Sequence, residues 1–235
     1  MSNIPMIDGP RLNTLSGNPA KTLVILLHGY GADGDDLIGL AQYWQKDFPD
    51  TAFVAPNAPE PCDLSPFGRQ WFSLERYDPD MQRRDPVAGA KVFASMIEGA
   101  RTAQRVVDQF ITKETSEHGL SLSETVLVGF SQGTMVSLYA GLRQQMAPAG
   151  ILGYSGALVS DDRFGEELKC RPPVCLIHGE DDDIVPFPAL ARATKILSDL
   201  NIDVAAHGCP GLGHGIDEQG LKIGQSFVKS VFSNI

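Results

Sequence analysis

The residue types that carry acyl-transfer chemistry meet at one serine. Val126-Leu127-Val128 runs into Gly129-Phe130-Ser131-Gln132-Gly133, and a helix-compatible segment follows. A strand that turns abruptly into a helix strains its corner residue and lifts that side chain clear of the sheet. Glycines two positions before and after are required, because a Cβ there would collide with the tightly folded backbone. A serine at this corner also sits at a helix N-terminus, where free N–H groups and the helix dipole favour developing negative charge. The plainer alternative is a serine that merely caps the helix.

A serine hydroxyl cannot attack a carbonyl unaided. It needs a base within hydrogen-bond reach, and that base needs an orienting group. Two later strand exits offer them. Val174–Ile177 leads into the acidic run Glu180-Asp181-Asp182-Asp183, and Asp203–Ala206 leads towards His214 between Gly213 and Gly215. His214 is the expected base. Spacing alone leaves the acid open among Asp181, Asp182 and Asp183, and the acidic run lacks the spaced ligands of a dedicated calcium loop. His28 and His178 each precede a glycine at a strand end and are expected to brace loops. His207 ends its strand too early to do the work of His214. His118 reads as a cation at a helix end.

The loop His28-Gly29-Tyr30-Gly31-Ala32-Asp33-Gly34 follows an apolar strand. Glycines at 29, 31 and 34 formally match a dinucleotide fingerprint. That reading needs an acidic residue at the end of the second strand, which instead ends in Pro56-Asn57-Ala58-Pro59. The competing use is an oxyanion hole, formed by the backbone N–H groups of Tyr30 and Gln132, with the two side chains mattering less.

The elements that must position these groups follow from hydrophobic patterning. Thr22–Leu27 is a continuous apolar run with β-branched members, the pattern of a strand covered on both faces. Residues 35–48, 86–117, 132–145, 187–200 and 218–232 carry helical spacing, and strands lie between them at 51–55, 126–128, 149–154, 174–177 and 203–206. This alternation predicts a mostly parallel central sheet flanked by helices on both faces. One domain over 1–235 is expected. It has an irregular lead-in over 1–20 (one edge strand near Arg11–Leu15) and a proline- and aromatic-rich loop insertion over 57–86. That loop is expected near the site, with Trp71 and Phe72 as candidate pocket walls; whether it moves as a lid is not legible.

Composition narrows the partners. Hydrophobic residues make up 43 % and charged residues 20 % of 235 residues, which suits a globular chain. A net charge of −10 repels phosphate backbones, so no nucleic acid is expected. The four cysteines show neither Cys-x-x-Cys nor zinc spacing; reduced thiols and a cytoplasmic setting are expected, with no metal. Residues 1–19 lack the basic start and apolar core of a signal peptide, and the apolar runs are too short for stable membrane insertion. Oligomeric state is not legible, and a homodimer is carried as an open alternative.

Serine, acid and histidine in this chain order match the α/β-hydrolase fold. The chain resembles the phospholipase/carboxylesterase family of α/β-hydrolases, which includes acyl-protein thioesterases. The stretches that carry the resemblance are Leu27-His28-Gly29-Tyr30-Gly31, Pro56-Asn57-Ala58-Pro59, Gly129-Phe130-Ser131-Gln132-Gly133, His178-Gly179-x-x-Asp182-x-x-Val185-Pro186 and Gly211-x-x-His214. They span nearly the whole chain from about residue 22 onward. The resemblance implies that Asp182 is the acid, that Trp71-Phe72 matches the family's tryptophan–phenylalanine pair, and that esters or thioesters are hydrolysed without a cofactor. Lysophospholipase and acyl-protein thioesterase specificities fit the same machinery, as do peptidase and lactonase activities. The contrasting reading is a non-catalytic ligand-binding protein on the same fold.

Overall fold

The computed structural model describes residues 4–74 and 95–235. Seven strands form one sheet, in chain order β1 Arg11–Leu12, β2 Thr22–Leu27, β3 Thr51–Val54, β6 Thr125–Phe130, β7 Gly150–Tyr154, β8 Val174–Gly179 and β9 Val204–Cys209. Across the sheet the order is β1-β3-β2-β6-β7-β8-β9. Every neighbouring pair is parallel except β1 with β3. The fold is therefore an α/β-hydrolase-type sheet with one antiparallel edge strand.

Among the described residues five helices cover the sheet: α1 Gly34–Trp44, α2 Ile97–His118, α3 Gln132–Gly141, α4 Pro188–Asp199 and α5 Glu218–Phe232. Alternation along β2 shows why its run is apolar throughout. Leu23, Ile25 and Leu27 join a core with residues of α2 and α3, whereas Val24 and Leu26 join one with residues of α1 and α5. A third cluster joins Leu138 of α3, Leu176 of β8, and Leu190 and Leu197 of α4. Each face of a parallel sheet needs such cover, since both sets of side chains are apolar.

Several boundaries differ from the sequence expectation. β9 continues to Cys209 because its ladder with β8 persists through His178↔Gly208 and Gly179↔Cys209. His207 thus lies inside the strand rather than at its end. The loop expected to be irregular holds a two-stranded antiparallel ribbon, β4 Glu60–Pro61 with β5 Arg69–Gln70. Of the expected helix over 86–117, the portion over 86–94 lies outside the described residues, as does 75–86 of the loop insertion. The C-terminal end matches: His118 closes α2, and Gly119 caps it in the left-handed region at φ 65°. Among the described residues no helix is long and apolar enough to cross a membrane.

The junction of β2, β6 and α3 is packed backbone to backbone. A Cβ on Gly129 would strike the backbone of Gly133 and Thr134, and one on Gly133 would strike the carbonyl oxygens of Leu27 and His28. Gly133→Ala is therefore expected to lower unfolding free energy by about 1–3 kcal/mol, the usual cost of overpacking. Urea denaturation should show a lower midpoint with an unchanged slope.

Candidate active site

All the candidate groups gather beyond the carboxyl ends of the strands, where open parallel sheets place their sites. Ser131 lies between β6 and α3 with φ 53° and ψ −115°. Positive φ is rare for a residue with a side chain and marks stored strain. Its hydroxyl makes no capping hydrogen bond to α3, which sets aside the plain N-cap role. The Ser131 Oγ lies 3.0 Å from His214 Nε2 instead. Three contacts fix the corner from below: Ser131 N–H donates to Tyr154 O at 2.8 Å, and Thr134 Oγ1 lies 2.9 Å from Gly129 O and 2.8 Å from Tyr154 O.

His214 Nδ1 lies 2.8 Å from Asp182 Oδ2. Since a carboxylate only accepts, Nδ1 carries the hydrogen and Nε2 is left free to accept from the serine. Asp182 Oδ1 accepts from the N–H groups of Ile184 and Val185, at 3.0 and 2.8 Å. Asp182 Oδ2 also lies 3.2 Å from Nε2 of the buried His178, which is 2.7 Å from Val185 O. Burial works to raise the Asp182 pKa, but the hydrogen bonds from His178, His214 and Val185 outweigh it, and the net shift is strongly downward. Asp182 is thus the member of the acidic run whose carboxylate the fold turns inward; Asp181 and Asp183 are exposed.

The loops that carry acid and histidine are tied together. Asp181 N–H donates to Leu212 O at 2.9 Å, and a side chain on Gly179 would strike the carbonyls of Leu212 and Gly213. The Phe130 ring packs against the His214 imidazole, with centroids 5.0 Å apart. Ser155, also at positive φ (45°), donates its hydroxyl to Gly215 O at 3.2 Å and so holds the histidine loop from the next strand. The sequence signal for Ser155 was present: Ser155-Gly156 leaves β7 as Ser131 leaves β6.

The glycine loop after β2 sits beside the corner. A Cβ on Gly29 would lie 3.4 Å from Ser131 Cβ. Among the described residues no hydrogen-bond acceptor is found for the backbone N–H of Tyr30 or Gln132, whereas the next amides along the first loop, Gly31 and Ala32, donate to Arg69 O and Gly29 O. The N-terminus of α1 is occupied by its own acid: Asp33 accepts from the Asp35 and Asp36 N–H groups. A pyrophosphate there would meet carboxylates, which disposes of the dinucleotide reading physically.

His28 braces this loop as expected. Its Nε2 accepts from Ala58 N–H at 3.0 Å, so Nδ1 is the donor to Gly29 O at 2.8 Å. Burial lowers its pKa and keeps it neutral. Trp71 and Phe72 are 1 % and 5 % exposed. Their polar groups are what face the corner. Trp71 Nε1 donates to His28 O at 2.9 Å, Trp71 N–H donates to Gln132 Oε1 at 2.9 Å, and Gln132 Nε2 donates to Phe72 O at 2.7 Å. The Gln132 side chain, fully buried, therefore clamps the segment after the ribbon to the start of α3. In the sequence Gln132 stands out only for its amide; a two-point bond across about 60 residues leaves no local pattern. Among the described residues no group of three His, Cys, Asp or Glu side chains is placed to hold a metal, and all four cysteines are free thiols.

A family model described as Phospholipase/Carboxylesterase matches residues 14–232. The chain belongs to this family. It is 29 % identical to an acyl-protein thioesterase 1 from Gibberella zeae, over 88 % of each chain. It is 26 % identical to the esterase YpfH of Escherichia coli, over 87 % of this chain and 80 % of that one. The crystal structure of esterase PE8 superposes with a TM-score of 0.87 at 42 % identity, covering 97 % of this chain and all of that one. The protein is thus a hydrolase of the esterase/thioesterase class, with ester substrates of small-molecule type.

The downward shift at Asp182 makes a stability prediction. A depressed folded pKa adds stability at pH values above the unfolded carboxylate pKa of about 3.9, and that stability is lost as pH falls towards the folded value. Asp182→Asn should therefore be less stable than the parent at pH 7, and the gap should narrow below about pH 4, as read by chemical denaturation at both pH values.

Proposed function

We propose that the protein hydrolyses carboxylic esters and thioesters through Ser131, His214 and Asp182 by way of an acyl-enzyme. The observation that carries this reading is the unbroken chain of contacts, Ser131 Oγ to His214 Nε2 at 3.0 Å and His214 Nδ1 to Asp182 Oδ2 at 2.8 Å. Ser131 Oγ attacks the acyl carbon while its proton passes to His214 Nε2. Asp182, already ionised, holds the imidazole and stabilises the imidazolium. The carbonyl oxygen, now an oxyanion, takes hydrogen bonds from the Tyr30 amide, in the loop after β2, and from the Gln132 amide at the start of α3. Collapse breaks the bond to the leaving oxygen or sulfur, which departs with the proton from His214. Water, deprotonated by His214, then attacks the acyl carbon and releases a carboxylic acid and free Ser131.

Relatives bear the names esterase and acyl-protein thioesterase, and the same machinery serves both leaving atoms. We take the chain as one catalytic domain, and its four free thiols fit a cytoplasmic setting.

Turnover of p-nitrophenyl esters tests the reading. Ser131→Ala should reduce kcat by roughly 10⁶-fold, as in other triads. Asp182→Asn should reduce it by roughly 10⁴-fold, while Asp181→Asn and Asp183→Asn stay close to the parent. A Ser131→Ala rate within about tenfold of the parent ends the proposal.

A further inference from the structure

Beside the corner an open groove of 420 Å³ runs between α1 and α5. Gly29 and Phe130 line it and tie it to the candidate catalytic groups: a Cβ on Gly29 would lie 3.4 Å from Ser131 Cβ, and the Phe130 ring lies 5.0 Å from the His214 ring; Ile216 lines it too. Leu37 and Leu40 of α1 line one side and Leu221 of α5 the other, and Tyr43, 70 % exposed, stands further along α1. The lining is predominantly apolar, which suits a hydrocarbon ligand.

A second feature points the same way. Gly39 lies in the interior of α1, where glycine weakens a helix relative to alanine. No close packing requires it, since a Cβ at Gly39 would meet no atom within 4 Å. What a side chain there would do is enter the groove, which Gly39 lines. The glycine keeps that space open.

We propose that this groove binds the alkyl chain of the leaving alcohol or thiol. The assignment rests on the Ser131–His214 reading. His214 Nε2 hands its proton to the departing atom, so the departing chain lies on the histidine side. Phe130, whose ring packs on His214, and Ile216 form the groove's wall on that side. The acyl part then lies away from the groove, towards the segment that Gln132 clamps at Trp71 and Phe72. The preferred substrates are accordingly esters of alcohols with an apolar chain, or the corresponding thioesters; Asp36, which also lines the groove, disfavours an anionic chain.

The test compares the parent, Gly39→Trp and Gly39→Ala on two ester series. One varies the alcohol, from ethyl to octyl acetate; the other varies the acyl chain, from p-nitrophenyl acetate to octanoate. In the parent, kcat/KM should rise about two- to fourfold per methylene of the alcohol until the groove is filled. Gly39→Trp should flatten that rise, losing about tenfold or more on hexyl acetate and much less on ethyl acetate, whose alcohol is too short to fill the groove. Gly39→Ala should shift the alcohol series in the same direction by a smaller amount, since its single methyl takes up little of the groove. An unchanged alcohol series in Gly39→Trp, or a loss confined to the acyl series, overturns the proposal. Binding of 1-octanol, followed by saturation-transfer NMR, separates the groove from the chemistry. The parent and Ser131→Ala should bind it and Gly39→Trp should not, whether or not any ester turns over. Failure of the parent to bind octanol also overturns the proposal.

Discussion

The structure depends on the backbone held at Ser131. A residue with a side chain at φ 53° and ψ −115° carries strain of about 1–3 kcal/mol, which persists only where the surroundings over-determine it. They do so here by leaving no alternative. The glycines at 129 and 133 allow backbones from β2, β6 and α3 to touch, and Tyr154 O from β7 takes the Ser131 N–H. The strain aims the hydroxyl at His214 and opens the first amides of α3 to an incoming anion. Both follow from one corner, so the Ser131 hydroxyl and the first amides of α3 cannot drift apart in position.

Around that corner the polar groups are arranged so that a buried charge has company. Asp182 has a fully buried side chain yet accepts from two backbone amides and faces two imidazoles. An unpaired carboxylate in such a place would neutralise itself. Paired in this way it stays ionised, which is the state that fixes the His214 tautomer. His178 bridges the acid to Val185 O and His28 bridges the glycine loop to Ala58, so two further histidines serve as hydrogen-bonding braces on either side. The segment after the ribbon is tied in through Gln132. The loops around the corner are thus fastened to it by buried side chains.

How much of this was legible in the sequence follows from the range of each interaction. β2, β6 and α5 were readable because apolar period and length are local properties. Ser131 was readable because strand, glycines and helix surround it within a dozen residues. Asp182 was not separable from Asp181 and Asp183 by spacing, since the choice depends on which carboxylate the turn before Val185 directs inward. The family resemblance chose it, and the hydrogen bonds give the reason. β9 was cut short at Ala206, because His207, Gly208 and Cys209 lack strand character. They are strand only through their ladder with β8, a long-range constraint. The Gln132 clamp and the groove beside Gly39 depend on residues far apart in the chain, and no local pattern reports them.

The central claim is that His214 makes the Ser131 hydroxyl reactive at neutral pH. Labelling with a fluorophosphonate at pH 7, followed by peptide mass spectrometry, measures this most directly. The account predicts one adduct, on the peptide containing Ser131, forming in the parent and almost abolished in His214→Ala. An adduct on another residue, none in the parent, or an equal rate in His214→Ala would contradict it.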